Sequence, residues 1–93
     1  MEQEMELPED VLTDAIRRLR RIEGQVAGIA RMVEAERECR DVITQISAAS
    51  RALDQVGFKL LATGLRHCAA DEQAAKKAGY NADELERLFL KLA

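Results

Sequence analysis

Apolar residues recur along this chain with helical spacing almost from end to end. Leu12, Ala15, Leu19, Ile22, Val26, Ile29 and Val33 are separated by alternating steps of 3 and 4 residues. That is a heptad seam, and it predicts an amphipathic helix that starts at Pro8-Glu9-Asp10. Proline tolerates a first turn, and the two acids complement the helix dipole there. Glu34-Ala35-Glu36-Arg37-Glu38 is polar and predicts a turn. A second seam follows through Val42, Ile46, Ala49, Leu53, Val56 and Leu60. It extends back to Cys39 and forward through Thr63 to His67. The spacing predicts one long helix over 39–70, with the Ala-rich stretch 69–78 able to prolong it and Gly79 ending it. Asn81, with Glu84 three residues on, predicts the capped start of a short third helix bearing Leu85, Leu88, Phe89 and Leu92. Gly24 and Gly28 lie four residues apart in the first helix, where they suit close approach of a neighbour or act as mild weak points.

The fold class expected is therefore all-α, with two long helices and one short one. Two full seams cannot be buried by a single such protomer. Pairing of two helical hairpins into an antiparallel four-helix-bundle dimer solves this, and a dimer of dimers is a further step. At 93 residues the chain has room for one domain. Residues 1–8 read as a disordered acidic tail and residues 9–93 as the helical unit.

Composition adds three things. No apolar run is long enough for a membrane helix, and the acidic start is unlike a signal peptide, which points to a cytoplasmic protein. Two cysteines in such a chain suit free thiols or ligands better than a structural disulfide. The net charge of −3 hides a strong asymmetry. Residues 1–16 carry six acids and no base, whereas 17–31 carry Arg17, Arg18, Arg20, Arg21 and Arg31 against Glu23 alone. A solvated helix face accounts for such a run; a basic stripe on a rigid helix is also the footprint that DNA phosphates require. Arg51 on the second helix adds to it.

Cys39 and Cys68 are 29 residues apart. In one unbroken helix that puts them about 20° apart in phase and about 44 Å apart along the axis. They cannot meet within a chain, but antiparallel packing of the same helix from a second subunit sets Cys39 beside Cys68 of the partner. The alternative is two small buried hydrophobes. Cys39 falls at the expected start of a helix, whose free N–H groups favour an anion. Arg37 and Arg40 act in the same direction, Glu38 and Asp41 against it. There is no Ser-His-acid set, phosphate loop or CxxC, so an enzyme is not expected.

The runs Arg18-Leu19-Arg20-Arg21-Ile22-Glu23-Gly24-Gln25-Val26, Gly28-Ile29, Cys39 to Ala48, and Leu65-Arg66-His67-Cys68 closely resemble the CsoR/RcnR family of bacterial repressors. The resemblance covers about residues 12–70. It implies a disc-shaped dimer of dimers without a helix-turn-helix, binding operator DNA through basic side chains and releasing it with inducer. Copper(I) sensors of the family carry a His four residues before the second Cys, and a Tyr before the first. Here those positions are Gly64 and Glu38. Nickel and cobalt sensors use additional histidines, and formaldehyde sensors an N-terminal Pro without the second Cys; neither pattern is present. What remains is similar to the persulfide-sensing, CstR-like branch. The expectation is a repressor sensing persulfide or polysulfide through an inter-subunit bridge between Cys39 and Cys68, with no cofactor. The alternative is a copper(I) sensor with Cys39, Cys68 and, if the helix is irregular, His67. On either view Gly64→His is expected to raise copper affinity and to gain helix stability by removing a glycine.

Overall fold

A computed structural model describes residues 6–93. The element order is α1 (Glu9–Glu34), α2 (Cys39–Ala70), α3 (Glu72–Lys77) and α4 (Ala82–Leu92), and no strand occurs among the described residues. The all-α class and both long helices agree with the heptad reading. α1 begins with Glu9 and Asp10 in its first turn, and the Leu12 amide donates to the Pro8 carbonyl at 2.9 Å. It ends in a tight reversal at the expected polar turn. Glu36 takes the left-handed conformation at φ 52°, and the Arg37 amide donates back to the Met32 carbonyl at 3.0 Å. This closes the helix as a glycine would, with a Cβ in an unfavourable place.

The end of α2 differs from expectation. The Ala-rich stretch does not prolong it; Asp71 breaks it and starts a separate helix, so the described residues form four helices rather than three. The cause is local. Asp71 adopts an extended backbone, and its side chain accepts from the amides of Gln73 and Ala74. Those bonds satisfy the free donors of a new first turn. Gly79 then turns the chain at φ 90°, and Asn81 caps α4 through the Glu84 amide as predicted.

α1 and α2 form a hairpin, and α3 and α4 both pack on α2. Two cores result. Ala15 and Ile22 of α1 meet Val56 of α2, with Leu19, Ala52 and Leu60 around them. On the other part of α2, Leu61 meets Ala75, Ala78, Tyr80 and Leu85, with Phe58, Cys68 and Leu92 at the edge. Phe58 and Phe89 add a tilted aromatic pair at 5.4 Å. Ala49 is buried as well, but much of both seams and the apolar positions beside them is uncovered. Leu12, Ile16, Val26 and Val33 on α1, and Ile43, Ile46 and Leu53 on α2, are all exposed in the protomer. Gly24 has no neighbour within 4 Å of a Cβ placed on it, so no close approach is made there inside the protomer.

The tail also needs revision at its inner end. Residues 1–5 lie outside the described residues. Glu6, expected within the disordered tail, is held: its amide donates to the Ala78 carbonyl at 3.1 Å, and the Tyr80 hydroxyl donates to its carbonyl. A buried tyrosine hydroxyl requires a partner, and this backbone oxygen supplies it.

Candidate functional site: two thiols on one helix and a basic hairpin

α2 is continuous from Cys39 to Ala70, so both thiols ride on one unbroken helix. Within one protomer the cysteines stand about 44 Å apart along the axis. Cys39 opens the helix and is exposed; Cys68 is half-buried, packed against the Leu61–Tyr80–Leu85 cluster. No disulfide joins them. Among the described residues no three His, Cys, Asp or Glu side chains converge in one protomer as a metal-binding group. Any site that uses both cysteines is completed by a second copy.

Gly64 lies one turn before Cys68 and is buried. A Cβ built on it falls 2.9 Å from Tyr80 Cδ1 and 2.9 Å from Leu85 Cδ1. The space is already full. The expected gain in helix stability from Gly64→His is thereby corrected: any side chain must first displace Tyr80 and Leu85. His67 stacks on the same tyrosine, with ring centroids 5.0 Å apart and planes at 28°. The stack holds the imidazole by its face. Burial raises the Tyr80 phenol above its usual range, and the Glu6 carboxylate adds to this.

The arginine stripe is organised by carboxylates. Asp14 accepts from Arg17 and Arg18, both at 2.8 Å, and from Lys59 of α2 at 3.3 Å. Arg17, then Arg18 and Lys59, hold the Asp14 carboxyl well below the usual carboxylate range, against a smaller opposing effect of burial. Arg20 pairs with Glu23 at 2.9 Å. Arg21 and Arg51 are exposed and have no carboxylate partner among the described residues. Between α1 and α2 lies a cleft of about 270 Å³ whose lining includes Arg18, Lys59 and Arg66 as well as Asp10 and Asp14. Thr63 sits at its edge, donating to the Lys59 carbonyl and accepting from Arg66 at 3.4 Å.

Lys59, Arg66 and Tyr80 were not among the sequence-derived site residues. The Asp14–Arg18 spacing of four residues was visible as a helix pair. Lys59 was not, because it is 45 positions from Asp14 and meets it only through the register of the hairpin. Tyr80 lay beyond the stretch whose motifs were informative.

Residues 12–91 match the family model described as a metal-sensitive transcriptional repressor. The chain belongs to this repressor family. The family is one of DNA-binding regulators rather than enzymes, and it implies operator binding and oligomeric assembly. Among relatives, the copper-sensing transcriptional repressor RicR of Mycobacterium tuberculosis is 51% identical over 67 residues, covering 72% of this chain and 68% of RicR. The copper-sensing repressor CsoR of Bacillus subtilis is 52% identical over 54 residues, covering 58% of this chain; the match spans about half of that CsoR, 54% of its length. The crystal structure of the copper-sensing repressor CsoR with Cu(I) from Geobacillus thermodenitrificans superposes with a TM-score of 0.78 at 34% identity, covering 97% of this chain and 94% of that one. No helix among the described residues of this repressor is long and apolar enough to cross a membrane.

Proposed function

We propose that the protein is an operator-binding repressor that releases DNA when a thiophilic effector joins Cys39 of one protomer to Cys68 of the partner subunit. The observation that carries the repressor reading is the family match over residues 12–91. The unbroken α2 supports an inter-subunit site, and the exposed seams on α1 and α2 supply the surface for association. DNA contact falls to the arginine-bearing hairpin, with Arg17, Arg18, Arg20, Arg21 and Arg51 as its cations and Lys59 and Arg66 beside them.

Copper(I) is the first effector, since the relatives are named as copper sensors. Two thiolates suit it: the ion is soft, and two sulfurs satisfy it in a linear geometry. The residues fit it as a two-sulfur pair and not as a three-donor set, because position 64 offers no ligand.

That same glycine favours a second reading, the sensing of reactive sulfur. The Cys39 thiolate attacks the terminal sulfur of a persulfide, releasing the donor's thiolate and leaving a Cys39 persulfide. The partner's Cys68 thiolate then attacks the Cys39 sulfur and expels hydrosulfide. The sulfane sulfur is reduced as the two thiols become a disulfide. Either bridge straps helices of two subunits together and biases the assembly away from its DNA-binding shape.

The test is operator release measured in parallel with copper(I) and with polysulfide, on the wild type, Cys39→Ser and Cys68→Ser. Release by copper(I) alone supports the first reading, and release by polysulfide with a mass consistent with a covalent dimer supports the second. Release by either agent in both serine variants overturns the thiol site.

A further inference from the structure

We infer that Tyr80 is a specificity-determining residue that holds the effector site to sulfur donors alone. The inference rests on the proposal above that Cys68 is half of that site. A residue four positions before Cys68 shares its helix face, so position 64 is where a third donor from α2 would stand. Tyr80 and Leu85 occupy that space, both with atoms 2.9 Å from where a Cβ would be. Leu85 meets it with the tip of a flexible side chain. Tyr80 is different: it is the largest fully buried side chain of the protomer, 2% exposed. Its hydroxyl is tied to the Glu6 carbonyl and its ring is stacked on His67. Moving the ring away from Gly64 breaks both.

The same ring engages the only imidazole in the chain. One side chain therefore bears on both places from which nitrogen could join the thiols: it fills the space at 64 and holds the His67 ring by its face, which restrains where that imidazole can turn. A site so restricted suits an effector content with two thiolates, namely linear copper(I) or sulfane sulfur. It disfavours nickel, cobalt and zinc, which take more donors and accept nitrogen.

Two measurements test this. The first needs no effector. Helix propensity favours alanine over glycine, yet Gly64→Ala should lower the Tm of the apo protein by about 4–8 °C, because the new methyl meets the tyrosine ring. In a Tyr80→Ala background the same change should raise Tm. The second is X-ray absorption of the copper(I) complexes. Two sulfurs and no nitrogen are expected for the wild type and for Gly64→His, and an added nitrogen only for Gly64→His combined with Tyr80→Ala. A rise in Tm from Gly64→Ala in both backgrounds overturns the role of Tyr80, as does a nitrogen ligand in the wild type or in Gly64→His alone. If the wild type takes up no copper(I), the copper reading fails by itself, and the Tm comparison still decides the packing of Tyr80 on Gly64.

Discussion

Lys59 Nζ on α2 lies 3.3 Å from the Asp14 carboxylate on α1, and no other side-chain ion pair joins two helices among the described residues. Asp14 is thereby shared among Lys59, Arg17 and Arg18. Its charge both ties the hairpin and gathers three cations at one end of the basic stripe.

That tie has a pH signature. The folded-state pKa of Asp14 is lowered by Arg17, Arg18 and Lys59, so its contribution to stability is present above the ordinary carboxylate pKa of about 4 and is lost as pH falls below it. Thermal melts should show the wild type more stable than Asp14→Asn near neutral pH, with the two converging in acid. The carboxylate is solvent-accessible, so added salt should narrow the gap. A gap of constant size at all pH values would show that charge is not its cause.

Arg21 and Arg51 carry no carboxylate partner among the described residues, which leaves them available to phosphate. Arg21→Ala and Arg51→Ala should each weaken binding to operator and unrelated DNA alike. Each should also reduce the slope of log K against log salt by about one. Fluorescence anisotropy over a salt series measures both. Unchanged affinity and slope would remove these residues from the DNA face.

Leu53 and Leu60 belong to one seam but stand differently in the protomer. Leu53 is 51% exposed, whereas Leu60 packs on the Ala15–Ile22–Val56 cluster. Leu53→Asp should dissociate the assembly while leaving much of the helix content. Leu60→Asp should unfold the hairpin itself, since it buries an unpaired charge. Sedimentation velocity and far-UV circular dichroism separate the two outcomes; an assembled Leu53→Asp protein would place the interface elsewhere.

The separation of about 44 Å along α2 requires any Cys39–Cys68 link to join two chains. After treatment with polysulfide, non-reducing electrophoresis should show a reducible dimer, and peptide mapping should pair the two cysteine peptides. Cys68→Ser should retain a persulfide on Cys39 without the link. A Cys39–Cys68 link confined to the monomer band would contradict a continuous α2.

Much of this protein was legible without coordinates, because helices write their own periodicity. The alternating steps from Leu12 to Val33 and from Val42 to Leu60 determined two amphipathic helices. Their spacing carried Cys39 and Cys68 onto one helix at a distance no bend of a side chain can close. Arg17 to Arg21 stood out as a local excess of charge, whatever the net value. Asp71 was less visible: in an Ala-rich stretch of high helix propensity, one capping side chain redirected the chain, and such competition depends on hydrogen bonds rather than on pattern. Gly64 drew attention in the sequence only as a missing histidine. That its place is taken by Tyr80, that Tyr80 is held by Glu6 and His67, and that Lys59 reaches Asp14 were decided by the tertiary structure alone. These are contacts between residues 13 to 74 positions apart, set by how α1, α3 and α4 pack on α2 and by the hold of Ala78 and Tyr80 on Glu6, and no local period encodes them.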